Sequence, residues 1–283
     1  MGIGISLSGG GIRGIAHAGV LKALEDNNIK VDAIAGTSAG SIVATLYAMG
    51  FKPYYIYILF KKYAKDIINI KNRIFLNGIK NYIKCKKIGL NGLNDGSMME
   101  NMYNELAKTK GFKLIGDIKM PLVISTVDIG EAKEYIFTNC APRDNYDDKY
   151  ITEVEIGKAV RASSSFPAIF CPLEYKKHLF MDGGVLDNIP TEELKKVYDG
   201  KIISVNFKAD PVQENYDVMD IIMKTLDVMG NKLSENSINI SDFVLTVPTD
   251  RTGLLDIKKM DKCFEYGYKT TIENLSKIKE LSN

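Results

Sequence analysis

The sequence predicts an α/β fold in which a mostly parallel central sheet is covered by helices. Three observations predict it. Near the N-terminus, short apolar segments stopped by glycines alternate with longer segments of helical periodicity, and the order β-α-β-α calls for crossover connections of the kind that cover a parallel sheet. Two glycine-rich turns, Gly9-Gly10-Gly11 and Gly36-Thr37-Ser38-Ala39-Gly40, each fall where a strand passes into a helix. Further along, strand-like segments keep recurring between amphipathic ones.

In order, Ile3 to Leu7 is short and apolar and reads as a buried first strand. Ile12 to Leu24 then places Ile12, Ile15, Ala16, Val20, Ala23 and Leu24 at helical spacing. Val31 to Ala35 is a second strand, and Ser41 to Met49 is helical until Gly50 and Pro53 break it. A basic, aromatic-rich and weakly periodic stretch at about 51–115 is expected to be a helical insertion laid over the sheet. Met120 to Ile129 and Glu134 to Thr138 return to strand composition, Ile151 to Arg161 to helix, and His178 to Met181 to a short strand that closes on Asp182-Gly183-Gly184. Ile202 to Phe207 and Phe243 to Val247 supply two more strands. Val218 to Leu233 and Lys259 to Leu281 read as amphipathic helices. With no repeat, low-complexity tract or linker in view, residues 1–283 are expected to form one domain carrying the insertion.

Composition narrows the classes. Hydrophobic residues make up 45% of the chain, enough for a sizeable core. Thirty-seven basic against 35 acidic side chains give a net charge of +2, which by itself selects no anionic partner. The distribution is lopsided, because 51–90 holds ten basic residues against Asp66 alone. Cys85, Cys140, Cys171 and Cys263 lie far apart without a CxxC pair, unlike a zinc site or a small disulfide scaffold, and reduced thiols in a cytoplasmic setting are expected. Met1 leads straight into GIGISLSGGG, which lacks the charged start and apolar stretch of a signal peptide. No apolar run approaches the ~20 residues of a membrane span, so membrane contact is expected to be peripheral, at the inner membrane surface.

The chemistry sits in the turns. Gly9, Gly10 and Gly11 open a helix, where backbone N–H groups converge on an anion. The spacing Gly9-Gly10-Gly11-Ile12-Arg13-Gly14 also satisfies the dinucleotide pattern GxGxxG, but that reading wants an acid at the end of the second strand, which instead runs into Ala35-Gly36-Thr37-Ser38. A tight packing turn is the bland alternative. The functional one is an oxyanion hole, each of whose donors is worth about 3 kcal/mol, with Arg13 holding the loop or adding positive potential. Gly36-Thr37-Ser38-Ala39-Gly40 is GxSxG between strand and helix, where small neighbours at Gly36 and Gly40 permit the sharp turn that exposes a serine hydroxyl. The alternative is an ordinary helix N-cap serine.

A serine nucleophile needs a base, and the chain has two histidines. His17 lies inside the first helix. His178 stands four residues before Asp182 on one strand, which separates their backbones by about 13 Å at ~3.3 Å per residue and makes a Ser38-His178-Asp182 triad poor geometry. Asp182 itself ends a strand before two glycines, so its carboxylate can project at the sheet edge where Ser38 emerges; a chemically silent Asp-Gly turn is the alternative.

In order and spacing, SGGGIRGIAHAGVLKAL, GTSAGS, RASSSFPAIFCP and MDGGVLDNIPTEEL resemble the patatin-like phospholipases, over roughly 1–50 and 118–208. The resemblance implies a three-layer α/β/α fold and a Ser-Asp dyad hydrolysing fatty acyl esters of phospholipids or related lipids. It makes Ser38 the nucleophile, Asp182 the base and Gly9, Gly10, Gly11 and Arg13 the oxyanion loop. No cofactor and no metal are implied. The basic insertion, with Lys61, Lys62, Lys65 and Arg73 among tyrosines, has the composition of a lid and docking face for an anionic membrane; a solvated helix packed on the sheet is the alternative. No nucleic-acid recognition module accompanies the charge, and no protein activator is identifiable. A small-ester or thioester hydrolase without interfacial preference, and a catalytically silent lipid-binding protein, are the rival functions.

Overall fold

The computed structural model describes residues 2–65, 95–140, 142, 148–167, 169–208, 218–253 and 255–282. Among the described residues, nine strands form one sheet between layers of helices. Strand β1 (Ile3–Leu7) leads through a 3-10 turn at Gly11–Gly14 into α1 (Ile15–Asp26), and β2 (Val31–Thr37) passes into α2 (Ala39–Ala48). Helix α3 covers 53–65 and α4 is Ser97–Thr109. Then come β3 (Leu122–Asp128), β4 (Lys133–Thr138), β5 (Tyr150–Ile151), α5 (Ile156–Ser163), β6 (Leu173–Tyr175) and β7 (His178–Asp182). The chain continues through α6 (Thr191–Val197), β8 (Ile202–Phe207), α7 (Val218–Leu233), α8 (Glu235–Ile240), β9 (Phe243–Val247), α9 (Met260–Glu273) and α10 (Leu275–Ser282).

The main path of the sheet runs β5-β4-β3-β2-β1-β8-β9, with β7 added to β3 and β6 added to β7. From β3 across β2, β1 and β8 to β9 the pairing is parallel. Central strands β1 and β3 are buried along their whole length, because helices cover both faces of a parallel sheet. Two glycines, Gly19 and Gly267, let α1 and α9 approach backbone to backbone: a Cβ on either would stand 2.0 Å from a carbonyl oxygen of the other helix.

Strand β3 is where the site is set. Its first half pairs parallel with β2, ending at Thr37 opposite Ser125; its second half pairs antiparallel with β7, with Asp182 opposite Thr126. So β7 takes the place along β3 that β2 vacates when the chain turns out of the sheet at Ser38.

Some elements differ from expectation. The helix expected over Ile151 to Arg161 begins only at Ile156, because Tyr150 and Ile151 pair with Ile136 and Phe137 and the Ile115 N–H bonds to the Val154 carbonyl. Lys259 to Leu281 is two helices, broken at Asn274, whose side-chain amide donates to the Thr270 carbonyl. Strand β6 and helix α6 carried no periodic signal long enough to be read.

Candidate functional site

Ser38 sits between the last residue of β2 and the first of α2 with φ 53° and ψ −122°, a conformation that costs a non-glycine residue about 1–3 kcal/mol. Neighbouring backbone forces this turn. A Cβ on Gly36 would stand 2.4 Å from the Gly40 carbonyl carbon, and one on Gly40 would stand 2.2 Å from the Leu7 carbonyl oxygen. Only glycine at both positions lets the strand fold back against the end of β1 and lift the Ser38 side chain into a cleft.

Asp182 reaches the same cleft from β7. It is 2% exposed. Its Oδ1 accepts the Gly184 N–H at 2.9 Å, while Oδ2 is sealed from solvent with no hydrogen-bond partner among the described residues. Burial pushes the carboxyl up to about 7, against the opposing pull of the Ser38 hydroxyl and the Gly184 N–H. The Ser38 hydroxyl therefore stands beside the carboxyl in the cleft.

The glycine loop also borders Ser38. Gly9, expected among the oxyanion donors, gives its N–H to the Asn188 carbonyl at 3.1 Å. Its missing side chain serves packing, since a Cβ there would meet Asn188 Oδ1 at 2.5 Å and the Ser38 Cβ at 3.3 Å. The N–H groups of Gly10 and Gly11 make no hydrogen bond among the described residues and lie at the cleft. Arg13 is buried: its Nε donates to the Gly10 carbonyl at 3.2 Å and its guanidinium pairs with Asp227 of α7 at 2.6 Å. Although burial raises Asp227, Arg13 and Lys224 hold its carboxyl below the ordinary value. Arg13 therefore ties the loop to α7, and Asp227 neutralises most of the positive potential it would otherwise lend.

The remaining walls are apolar. The cleft, about 1060 Å³ counting its open mouth, is lined by Ile42 of α2, Phe60, Tyr63 and Ala64 of α3, Met99 of α4, and Phe166, Ile169 and Phe170 after α5, with Leu226 of α7 along one side. A polar end at Ser38 and Asp182 and an apolar remainder match the shape and polarity of an acyl chain ended by a carbonyl.

Other expected residues lie elsewhere. Lys61 pairs with Asp261 at 2.5 Å, while Lys62 and Lys65 are exposed; Arg73 lies outside the described residues, as does most of the basic stretch. His17 is fully buried, its Nε2 bonded to the Ser8 carbonyl at 2.8 Å, and burial lowers its pKa to about 4. His178 binds Asp128 Oδ2 through Nδ1 at 2.7 Å. Neither histidine lines the cleft. Asp128, Glu131 and His178 bring ligand-type atoms within 4.8 Å of one another, but their oxygens already accept from Gly130, His178 and the Tyr135 hydroxyl. Asp227 went unread in the sequence because one acid on an amphipathic helix carries no local signal. The three serines of RASSSFP were a visible signal whose partners were not.

A family model described as patatin-like phospholipase matches residues 5–195, which include Gly9 to Gly11, Arg13, Ser38 and Asp182. The chain belongs to that family. Among curated proteins it is similar to lysophospholipase NTE1 of Candida albicans, 29% identical over 296 residues, covering 94% of this chain and 19% of the relative. NTE1 of Saccharomyces cerevisiae is 32% identical over 193 residues, covering 68% of this chain and 10% of the relative. The chain thus spans less than a fifth of the length of these curated relatives. Its fold is similar to that of VipD from Legionella pneumophila, with a TM-score of 0.52 at 14% identity, covering 98% of this chain and 67% of VipD. It is also similar to a chain of the ExoU–SpcU complex of Pseudomonas aeruginosa, with a TM-score of 0.51 at 18% identity, covering 100% of this chain and 52% of that one. Among the described residues no helix is long and apolar enough to cross a membrane.

Proposed function

We propose that this patatin-like chain is a serine lipid acyl hydrolase of phospholipase A or lysophospholipase type, working through a Ser38–Asp182 dyad. One observation carries the reading: β2 and β7 share β3 end to end, so a strained serine and a buried, unsaturated carboxylate meet at the polar end of an apolar cleft. Of the two carboxylates that line the cleft among the described residues, Asp227 is paired with Arg13, whereas Asp182, with a pKa near 7, is far better matched to a neutral-pH proton transfer than an ordinary aspartate.

In this scheme Ser38 Oγ attacks the acyl carbonyl as its proton passes to Asp182, and the carbonyl oxygen becomes an oxyanion facing the Gly10 and Gly11 amides at the N-terminal end of the first helical turn. Collapse of the tetrahedral intermediate expels the lipid alcohol, which takes up the proton from Asp182 and leaves an acyl-Ser38 ester. Water then attacks that ester, gives its proton to Asp182, and the second collapse frees the fatty acid and restores the serine hydroxyl. The apolar walls hold the chain by burial, about 0.8 kcal/mol per methylene. Naming of the fungal relatives as lysophospholipases supports a lipid ester as substrate. Exposed Lys62 and Lys65 on α3 support contact with an anionic membrane surface, with Phe60, Tyr63 and Ala64 of the same helix turned to the cleft.

A fluorophosphonate probe and fatty-acid release from mixed phospholipid vesicles test this. The unchanged chain should label and release fatty acid, and Ser38→Ala should lose both, by ~10⁴-fold or more in rate. Labelling that survives in Ser38→Ala would place the nucleophile elsewhere, and a folded chain that never labels would favour a lipid-binding protein without catalysis.

A further inference from the structure

The last residue of α5 and the turn that follows it touch both halves of the proposed dyad. We infer that Ser163, Ser164 and Ser165 form a clamp that positions Ser38 and Asp182 relative to one another, with Ser163 as its critical hydroxyl. The inference rests on the hydrolase reading above.

Where β2 leaves the sheet, the Ser38 peptide loses the ladder that paired Thr37 with Ser125. Its N–H is recovered by Ser163 Oγ at 3.0 Å. Its carbonyl accepts from Ser41 Oγ at 2.7 Å, Ser164 Oγ at 3.2 Å and the Ile42 N–H at 3.2 Å. One residue on, the Ser165 carbonyl accepts the Asp182 N–H at 3.2 Å, and Ser165 Oγ is tied back to the Arg161 carbonyl at 2.8 Å. All three serines are buried, at 0%, 5% and 1% exposure, so no solvent replaces a lost partner. Two segments more than a hundred residues apart are thereby fastened to consecutive residues where α5 ends. Hydroxyls suit the task because they are short, and each accepts or donates as the peptide requires.

The clamp is asymmetric. The Ser38 carbonyl has three donors, while its N–H has Ser163 alone among the described residues. A buried N–H without an acceptor is costly, and an elbow held at positive φ relaxes once its anchors go. Ser163 is therefore the sensitive position and Ser164 a redundant one, a ranking that chemical similarity of the two residues does not suggest.

Threonine and valine have nearly the same shape and differ in the hydroxyl, so Ser163→Thr and Ser163→Val separate the hydrogen bond from packing. In the full chain, fluorophosphonate labelling gives the fraction of competent sites as its amplitude and the quality of each site as its rate. The expected result is a labelling rate in Ser163→Val about 10-fold below Ser163→Thr at equal amplitude. The kcat for a short soluble ester should fall by the same factor with KM unchanged, and Ser164→Ala should stay within about 3-fold of the unchanged chain. Equal rates for the Thr and Val variants, a Val defect confined to amplitude, or a Ser164→Ala loss as large as that of Ser163→Val would overturn the clamp while leaving the hydrolase reading intact. Absence of labelling in the unchanged chain would overturn both.

Discussion

The floor and the roof of the cleft are made of different materials. On the floor, β1, β2 and β7 end together, and the decisive contacts involve backbone: Gly40 against the Leu7 carbonyl, Gly36 against Gly40, the Gly9 N–H on the Asn188 carbonyl. The roof, α3 and α7, meets the cleft through side chains, Phe60 and Tyr63 on one helix and Leu226 on the other. Backbone contacts leave no room to adjust, whereas an apolar side chain can be exchanged for another of similar volume at modest cost. The difference teaches where each kind of property would reside in the proposed hydrolase: the reaction on the rigid floor, and the choice of chain and surface on the adaptable roof. Arg13 is the link between them, bonded to the Gly10 carbonyl below and Asp227 above.

The sharpest way to break this contrast is at the floor's carboxylate. Asp182→Asn should lower hydrolysis by ~10³-fold or more, and yet stabilise the fold. Burial holds the folded carboxyl near 7, whereas the unfolded chain releases that proton near 3.9. The group's contribution to stability is therefore full below about pH 4, falls as pH rises towards 7, and stays low above it. Activity runs the other way, rising through pH 7 as the base ionises. Thermal unfolding should show Asp182→Asn melting roughly 5 °C or more above the unchanged chain at pH 8, and with little difference at pH 4.5. A variant less stable at pH 8 would contradict the buried-base picture.

Next in size is Gly40→Ala. A single methyl group aimed at the Leu7 carbonyl at 2.2 Å should cost ~10²-fold in labelling rate and about 2 kcal/mol in stability by denaturant unfolding; a silent variant would show that the floor is softer than its packing implies. The smallest effect is expected on the outer side of the roof. Lys62→Glu with Lys65→Glu should weaken binding to anionic vesicles by ~5–10-fold, while turnover of a soluble short ester stays within 2-fold, since each exposed charge near such a surface is worth about 1 kcal/mol. Vesicle binding that does not change would move the docking surface away from α3.

The same contrast separates what could be read early from what could not. Strands β1, β8 and β9 and helix α7 run where periodicity put them, because burial on one or both faces imprints a pattern on consecutive residues. The error at 151–155 came from a segment whose hydrogen bonds and strand pairing go to 136–137 and Ile115 rather than to its own neighbours. In the site, Gly36 and Gly40 were legible as the flanks of a tight turn, but the use of the Gly9 N–H was not, because its acceptor at Asn188 is supplied by a distant segment.

By itself, then, the order of residues determined the α/β class, the family and the turns at which chemistry-bearing side chains emerge, since these depend on the sterics of adjacent residues and on burial patterns within single elements. Tertiary structure alone decided that β7 continues along β3 from the point where β2 departs, that Asp227 answers Arg13, and that three serines grip two separate segments. Pairing between strands far apart in the chain is chosen by the free energy of the whole sheet and its covering helices, so no short stretch of sequence carries a record of it.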